Sequence, residues 1–381
     1  MIPRQVEREL KGRLAGSPAA ALVGPRQCGK TTLARSLGGQ YFDLEQESDR
    51  LRLDLDWDRL VAGKSLMILD EAQSWPRVFE RLRGAIDADR KLRGRFLLLG
   101  SVSPALMVHV SESLAGRLAL VELTPLLLSE VQAASRERIW LCGGYPDGGA
   151  IDPADYPRWQ RDYLTILTQR DLPAWGLPSK PQTTSRLLRM LAAVHGQSWN
   201  ASRIGQSMGL DYKTVNSYLD YLVGAFLVRR LQPYQANIRK RLVKSPKVYW
   251  RDSGLLHSLL NVPDTDGLLS QPWVGASWEG FVIEQVLGVL SATGQHVEPY
   301  YFRTNDQHGL DLVLDFGTEL WAMEIKLTSS PSSGDMDRLD ETAKLIAAKR
   351  RFLVSRTKQS TWGEARTSCN LPDLLKYLAK P

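Results

Sequence analysis

Residues Gly24-Pro-Arg-Gln-Cys-Gly-Lys-Thr31 lie between the apolar run AAALVG (19–24) and the helical pattern TTLARSLGG, and no other segment constrains this chain as much. A strand that ends in Gly-x4-Gly-Lys-Thr and turns into a helix aims successive backbone N–H groups at one point. The positive end of the helix dipole faces the same point. That geometry cradles phosphate. SLMILD (65–70) and RFLLLGS (95–101) are two further short apolar runs bounded by turn formers, with helical patterns between them. The chain is therefore expected to be α/β, with a parallel sheet in its first 130 residues.

The loop residues Gly24, Pro25, Arg26, Gln27, Cys28, Gly29, Lys30, Thr31 and Thr32 are the expected binding site for ATP. Lys30 would reach the β- and γ-phosphates, and the Thr31 hydroxyl would meet Mg²⁺. Asp70 ends the second apolar run, where a carboxylate can hold the same Mg²⁺, and Glu71 can orient the attacking water. Ser101 ends the third run, within reach of the γ-phosphate or that water. Arg117, in SLAGR, is either an arginine finger or a surface arginine.

The segments GPRQCGKTT, LDEAQ, LLLGS and LAGR, with the later GGYP and QRD, resemble one widespread prokaryotic family. That family joins an AAA+-type ATPase to a C-terminal region of unknown function, and the resemblance covers nearly the whole chain. It implies an AAA+-type core over residues 1–130 and a helical lid over 131–178. It also implies a homo-oligomer, and it makes Arg170, in TQRDLP, a candidate lid or sensor residue. PSKP (178–181) reads as a linker.

NASRIGQSMGLDYKTVNSYLDYLVGAFLV (200–228) reads as helix, turn at Gly209, helix, with Asp211 as N-cap. Val215, Leu219 and Leu222 share one face and leave Tyr212, Lys213 and Asn216 on another. Two strands with a loop between them would complete a winged helix over 179–262. The second half of that unit, residues 229–251, holds eight Lys or Arg and no Asp or Glu. The chain has 49 Lys and Arg against 42 Asp and Glu, a net of +7, and removing those eight leaves 41 against 42. Charge so concentrated suits a polyanion, so DNA is the expected partner, with about four to six of the eight cations engaged. Arg239, Lys240, Arg241 and Lys244 would follow the phosphates, while Tyr212, Lys213 and Asn216 would lie nearer to base edges or junction shape. A structural lid or a protein-binding wing is the alternative.

DLVLDFGTELWAMEIKL (311–327) alternates about Gly317-Thr318, a two-residue hairpin turn that would set Asp311 opposite Glu324, with Lys326 on the same face. Facing carboxylates repel, and a divalent cation would relieve them. Asp, twelve residues, then Glu-x-Lys resembles the PD-(D/E)XK nuclease-like fold, here over 263–381. The helical run ASWEGFVIEQVLGVL (276–290) would supply Glu279 as a third ligand. The other reading is a surface hairpin in which Lys326 pairs with either acid.

Cys28, Cys142 and Cys369 are too few and too scattered for a disulfide framework. The charged start MIPRQVEREL has no apolar core, and no apolar run approaches bilayer length. These features point to the cytoplasm and away from membranes. The expected function is a Mg²⁺-dependent ATPase that remodels or acts on branched or duplex DNA. A nucleotide-gated nuclease, a signalling or defence switch, and an ATP-dependent protein-interaction module are the rivals.

Overall fold

The three apolar runs become strands β1 (Ala19–Gly24), β3 (Met67–Asp70) and β4 (Phe96–Ser101), joined by β2 (Gln40–Asp43) and β5 (Leu118–Glu122). The computed structural model describes residues 2–101, 114–235, 242–306 and 308–380, with Ser101 described in its backbone only. The five strands lie in the order β2-β3-β4-β1-β5, and every pairing is parallel. All six residues of β1 are buried, as both faces of a parallel sheet must be when crossover helices cover them. Pairing of Gly24 with Ser101 and of Leu69 with Leu98 brings the carboxyl ends of β1, β3 and β4 to one edge. Crevices at that edge are where open α/β sheets bind ligands.

The middle of the chain is helical, with a core of Leu187, Leu188, Leu191, Val215, Leu219 and Leu222. Helix Arg158–Ile166 runs into a π-helical turn at Leu167–Asp171. Helices Ala201–Met208 and Tyr212–Gly224 are separated by Gly209 at φ +69, a left-handed cap that favours glycine. Asp211 caps the second helix by accepting the N–H groups of Lys213 and Thr214 at 2.8 and 3.0 Å.

Strands β6 (Val228–Pro233) and β7 (Lys247–Trp250) then pair antiparallel. They do not form a separate ribbon. Through Gln232–Tyr300 and Pro233–Tyr301, β6 pairs parallel with β8 (Glu298–Arg303). Strands β9 (Gly309–Asp315), β10 (Leu320–Ile325), β11 (Arg350–Ser355), β12 (Thr361–Trp362) and β13 (Arg366–Asn370) extend the same sheet. Its order is β12-β13-β11-β10-β9-β8-β6-β7. The boundary expected between residues 262 and 263 thus falls inside one hydrogen-bonded sheet. Helix Val274–Ala292 packs on one face with Leu312, Leu314 and Met323, and helix Ser333–Leu345 packs on the other with Val313 and Ala322. Among the described residues no helix is long and apolar enough to cross a membrane.

Candidate functional site

The phosphate loop follows β1. Gly24 stands at φ +154, and a Cβ there would lie 2.1 Å from the Leu123 carbonyl oxygen, so no side chain fits. Gly29, at φ +101, precedes helix Lys30–Ser36. Lys30 is 8% exposed, and its ammonium donates to the carbonyls of Gly24 and Pro25 at 3.0 and 2.8 Å. Thr31 Oγ1 donates to Asp70 Oδ2 at 2.7 Å, and the Tyr41 hydroxyl donates to the same oxygen at 2.8 Å. The hydroxyl and carboxylate expected to hold Mg²⁺ are therefore side by side. Glu71, next to Asp70, adopts the left-handed φ of +48 and accepts the Gln73 amide. Strained residues of this kind cluster at functional sites. Burial, and then the neighbouring Asp70, push the Glu71 carboxyl above the usual carboxylate range.

Cys28 faces inward, its buried thiol donating to the Leu123 carbonyl, so only its backbone can meet phosphate. Ser101 lies beside Gly24 by strand pairing. A cavity of about 800 Å³ opens over the loop, lined by Arg26, Gln27, Gly29, Lys30, Thr31 and Thr32, by Asp70 and Glu71, and by Gln132, Ser135 and Asp147 from the following segment. Its volume falls in the range of about 300–1,000 Å³ usual for small-molecule sites.

Arg117 is not at this cavity. It immediately precedes Leu118, which pairs with Ala19 at the start of β1, whereas the phosphate loop follows the end of that strand. Its guanidinium holds both oxygens of Asp87 at 2.9 Å and pulls that carboxyl down to about 2. A finger role in its own chain is ruled out by that position. Arg170 lies nearer: its Nε is 3.0 Å from Asp171 Oδ1, and Arg26 of the phosphate loop is 2.8 Å from the same oxygen. Tyr41 carries no motif, and Asp171, although it lies in QRD beside Arg170, is given no role by the sequence. Arg4 was missed too: it donates to the Cys28 and Thr124 carbonyls and pairs with the buried Glu130.

The basic stretch is far less naked than it looked. Arg229 pairs with Glu284, Arg230 with Asp220, Lys247 with Glu279, and Arg251 with both Glu284 and Glu122. Four of the eight cations are thus neutralised by acids from elsewhere in the chain. Through Glu122 and Glu284, Arg251 links β5 to helix Val274–Ala292. Lys244 is exposed, while Arg239, Lys240 and Arg241 lie outside the described residues. On the second helix Tyr212 and Lys213 are exposed, but Asn216 accepts the Trp199 indole N–H at 2.8 Å and so serves packing.

The β9–β10 hairpin has the expected register: Asp315 pairs with Leu320 and Leu312 with Met323, one step from Asp311 and Glu324. Burial, followed by the charges of Glu279 and Glu324, raises the Asp311 carboxyl well above its ordinary range. A second metal here is nevertheless not supported by their arrangement. Among the described residues no group of three or more His, Cys, Asp or Glu is arranged to hold a metal ion. Glu324 Oε1 is 2.6 Å from Lys326, Glu279 Oε1 is 2.8 Å from Lys247, and Asp311 Oδ2 accepts the Ile325 N–H at 2.9 Å.

Residues 16–132 match the family described as AAA domain, so the first unit is an AAA-type P-loop domain. Residues 134–266 and 274–374 match two domains of unknown function, DUF8612 and DUF4143. Uncharacterized protein Rv2008c of Mycobacterium tuberculosis is 40% identical over 334 residues, covering 86% of this chain and 75% of that protein. Uncharacterized protein Mb2031c of Mycobacterium bovis gives the same figures. Among solved structures, a DNA replication initiation factor aligns at 15% identity over 55% of this chain and 69% of its own, with a TM-score of 0.26. A STAND protein with a tetratricopeptide repeat sensor, PH0952 from Pyrococcus horikoshii, aligns at 13% identity over 77% and 47%, with a TM-score of 0.27. Likeness at these scores does not establish a common fold.

Proposed function

Because this chain belongs to the family of the mycobacterial protein Rv2008c, with an AAA domain over residues 16–132, we propose that it is a Mg²⁺-dependent ATPase whose nucleotide cycle acts on DNA. The observation that carries the ATPase reading is the contact of Thr31 Oγ1 with Asp70 Oδ2 at 2.7 Å, beside Lys30 and Glu71 on one cavity. Thr31 and Asp70 would hold Mg²⁺, which supplies charge neutralisation for the β- and γ-phosphates. The backbone of residues 24–31 binds phosphate, Lys30 transfers its donors from the loop carbonyls to phosphate oxygens, and Glu71 accepts a proton from water once ionised. Arg117, being remote from its own site, would have to serve a neighbouring copy in a homo-oligomer after leaving Asp87.

The DNA half of the reading is supported by the two helices joined at Gly209, by exposed Tyr212 and Lys213, and by the Arg239–Lys240–Arg241 run with Lys244. We read residues 179–262 as a winged helix whose strands β6 and β7 have been absorbed into the larger sheet. The order β8, β9, β10, β11, with helix Val274–Ala292 before it and helix Ser333–Leu345 within it, supports a nuclease-like fold for the last unit. The test is the ATP hydrolysis rate of the full chain alone and with single-stranded, duplex or four-way junction DNA. DNA binding coupled to the cycle predicts stimulation by at least one form. An unchanged rate with all three would remove DNA. The neutralisation of half the basic stretch would then favour an ATP-dependent protein-interaction module with an acidic partner.

A further inference from the structure

The acidic cluster of the last unit already holds a cation. Lys247, on β7, is 9% exposed, with its ammonium 2.8 Å from Glu279 Oε1 and 5.4 Å from the centroid of the Tyr301 ring. Tyr249, two residues along the strand and hence on the same face, lies 5.9 Å from that ammonium by ring centroid and donates its hydroxyl to the same Glu279 oxygen. Aromatic rings at these distances favour a resident cation through their negative faces. The ammonium in turn eases the charge on Asp311 and Glu324. Each acid also has a donor of its own: Tyr249 for Glu279, the Ile325 N–H for Asp311 and Lys326 for Glu324.

These partners do not suit a divalent ion. A Mg²⁺ needs about six oxygens at about 2.1 Å, and a buried ammonium among the same carboxylates would repel it. The reason Lys247 is there lies in the sheet. Because β6 pairs with β8, β7 is carried onto the last unit, and its alternation turns Lys247 and Tyr249 toward helix Val274–Ala292 while Val248 and Trp250 enter the helical core.

We propose that Lys247 is the built-in cation of the Glu279–Asp311–Glu324 cluster, so that the cluster takes no divalent metal and instead fastens β7 to the last unit, which rests on reading that unit as nuclease-like. The ATPase reading does not depend on this. The test is Mn²⁺ titration of the full chain without nucleotide, in a Thr31→Ala background that takes the phosphate-site metal position out of play. The parent should show no Mn²⁺ binding that depends on Asp311. Lys247→Met should gain one Mn²⁺ per chain, lost again on adding Asp311→Asn. Lys247→Gln serves the same purpose if the methionine variant does not fold. Parent protein that binds Mn²⁺ and loses it with Asp311→Asn would overturn the proposal, as would a folded Lys247 variant that gains no site.

Discussion

Arg26, in the middle of the phosphate loop, lies 2.8 Å from the carboxylate of Asp171, at the end of the π-helical turn Leu167–Asp171. The Asp171 side chain is 3% exposed, and Arg170 reaches the same oxygen at 3.0 Å. π-Helical turns appear disproportionately at functional sites, and this one delivers an acid to the nucleotide loop. The pair joins the loop to the helical segment that follows the sheet.

Arg26→Gln and Asp171→Asn should therefore be coupled. Arg26 is about one-third exposed and Asp171 retains Arg170, so a coupling of about 1 kcal/mol is expected from a double-mutant cycle of denaturant unfolding. Strict additivity of the two changes would show that the contact does no more than fill space.

The Glu71 environment predicts a pH dependence. A water-orienting carboxylate must be ionised, and burial beside Asp70 raises its pKa, so hydrolysis is lost as pH falls through that raised value. The acid limb of the rate should lie above the roughly 4.3 of an ordinary glutamate. The same sign applies to stability: the fold disfavours the ionised form, so Glu71→Gln should leave the melting temperature at neutral pH unchanged or higher. A limb at the ordinary glutamate value, with a lower melting temperature in the variant, would remove the assignment.

Much of the candidate nucleotide site was legible because the residues that shape it are local. The glycines, Lys30 and Thr31 occupy one loop, and Asp70 and Glu71 end one apolar strand. The hairpin register was legible for the same reason, since Gly317-Thr318 fixes it. Charge compensation was not. Lys247 finds Glu279 32 positions away, Arg229 finds Glu284 55 away, and Arg251 finds Glu122 129 away. No window along the chain shows such pairs. Strand β2 is short and mixed in polarity, so neither it nor the role of Tyr41 was visible before the sheet order was known.

Those pairs also change what the basic stretch can do on DNA. With Arg229, Arg230, Lys247 and Arg251 engaged inside the protein, at most the other four of the eight, Arg239, Lys240, Arg241 and Lys244, could meet phosphate. The log–log salt slope of duplex binding should then not exceed about −3.6, shallower than the eight charges in sequence suggest. Alanine at Arg239, Lys240 and Arg241 should flatten it by up to about 2.7 and weaken all sequences alike. Affinity measured at several salt concentrations checks this. An unchanged slope in the triple variant would place the DNA contact elsewhere.

The central claim is that Lys30 clamps phosphate while Glu71 acts on water. Its most direct measurement is ATP binding and single-turnover hydrolysis with Mg²⁺ by the parent, Lys30→Ala and Glu71→Gln proteins. Lys30→Ala should lose productive binding. Glu71→Gln should bind ATP as the parent does and hydrolyse it at least about a hundredfold more slowly. Hydrolysis by Glu71→Gln at the parent rate would contradict the account.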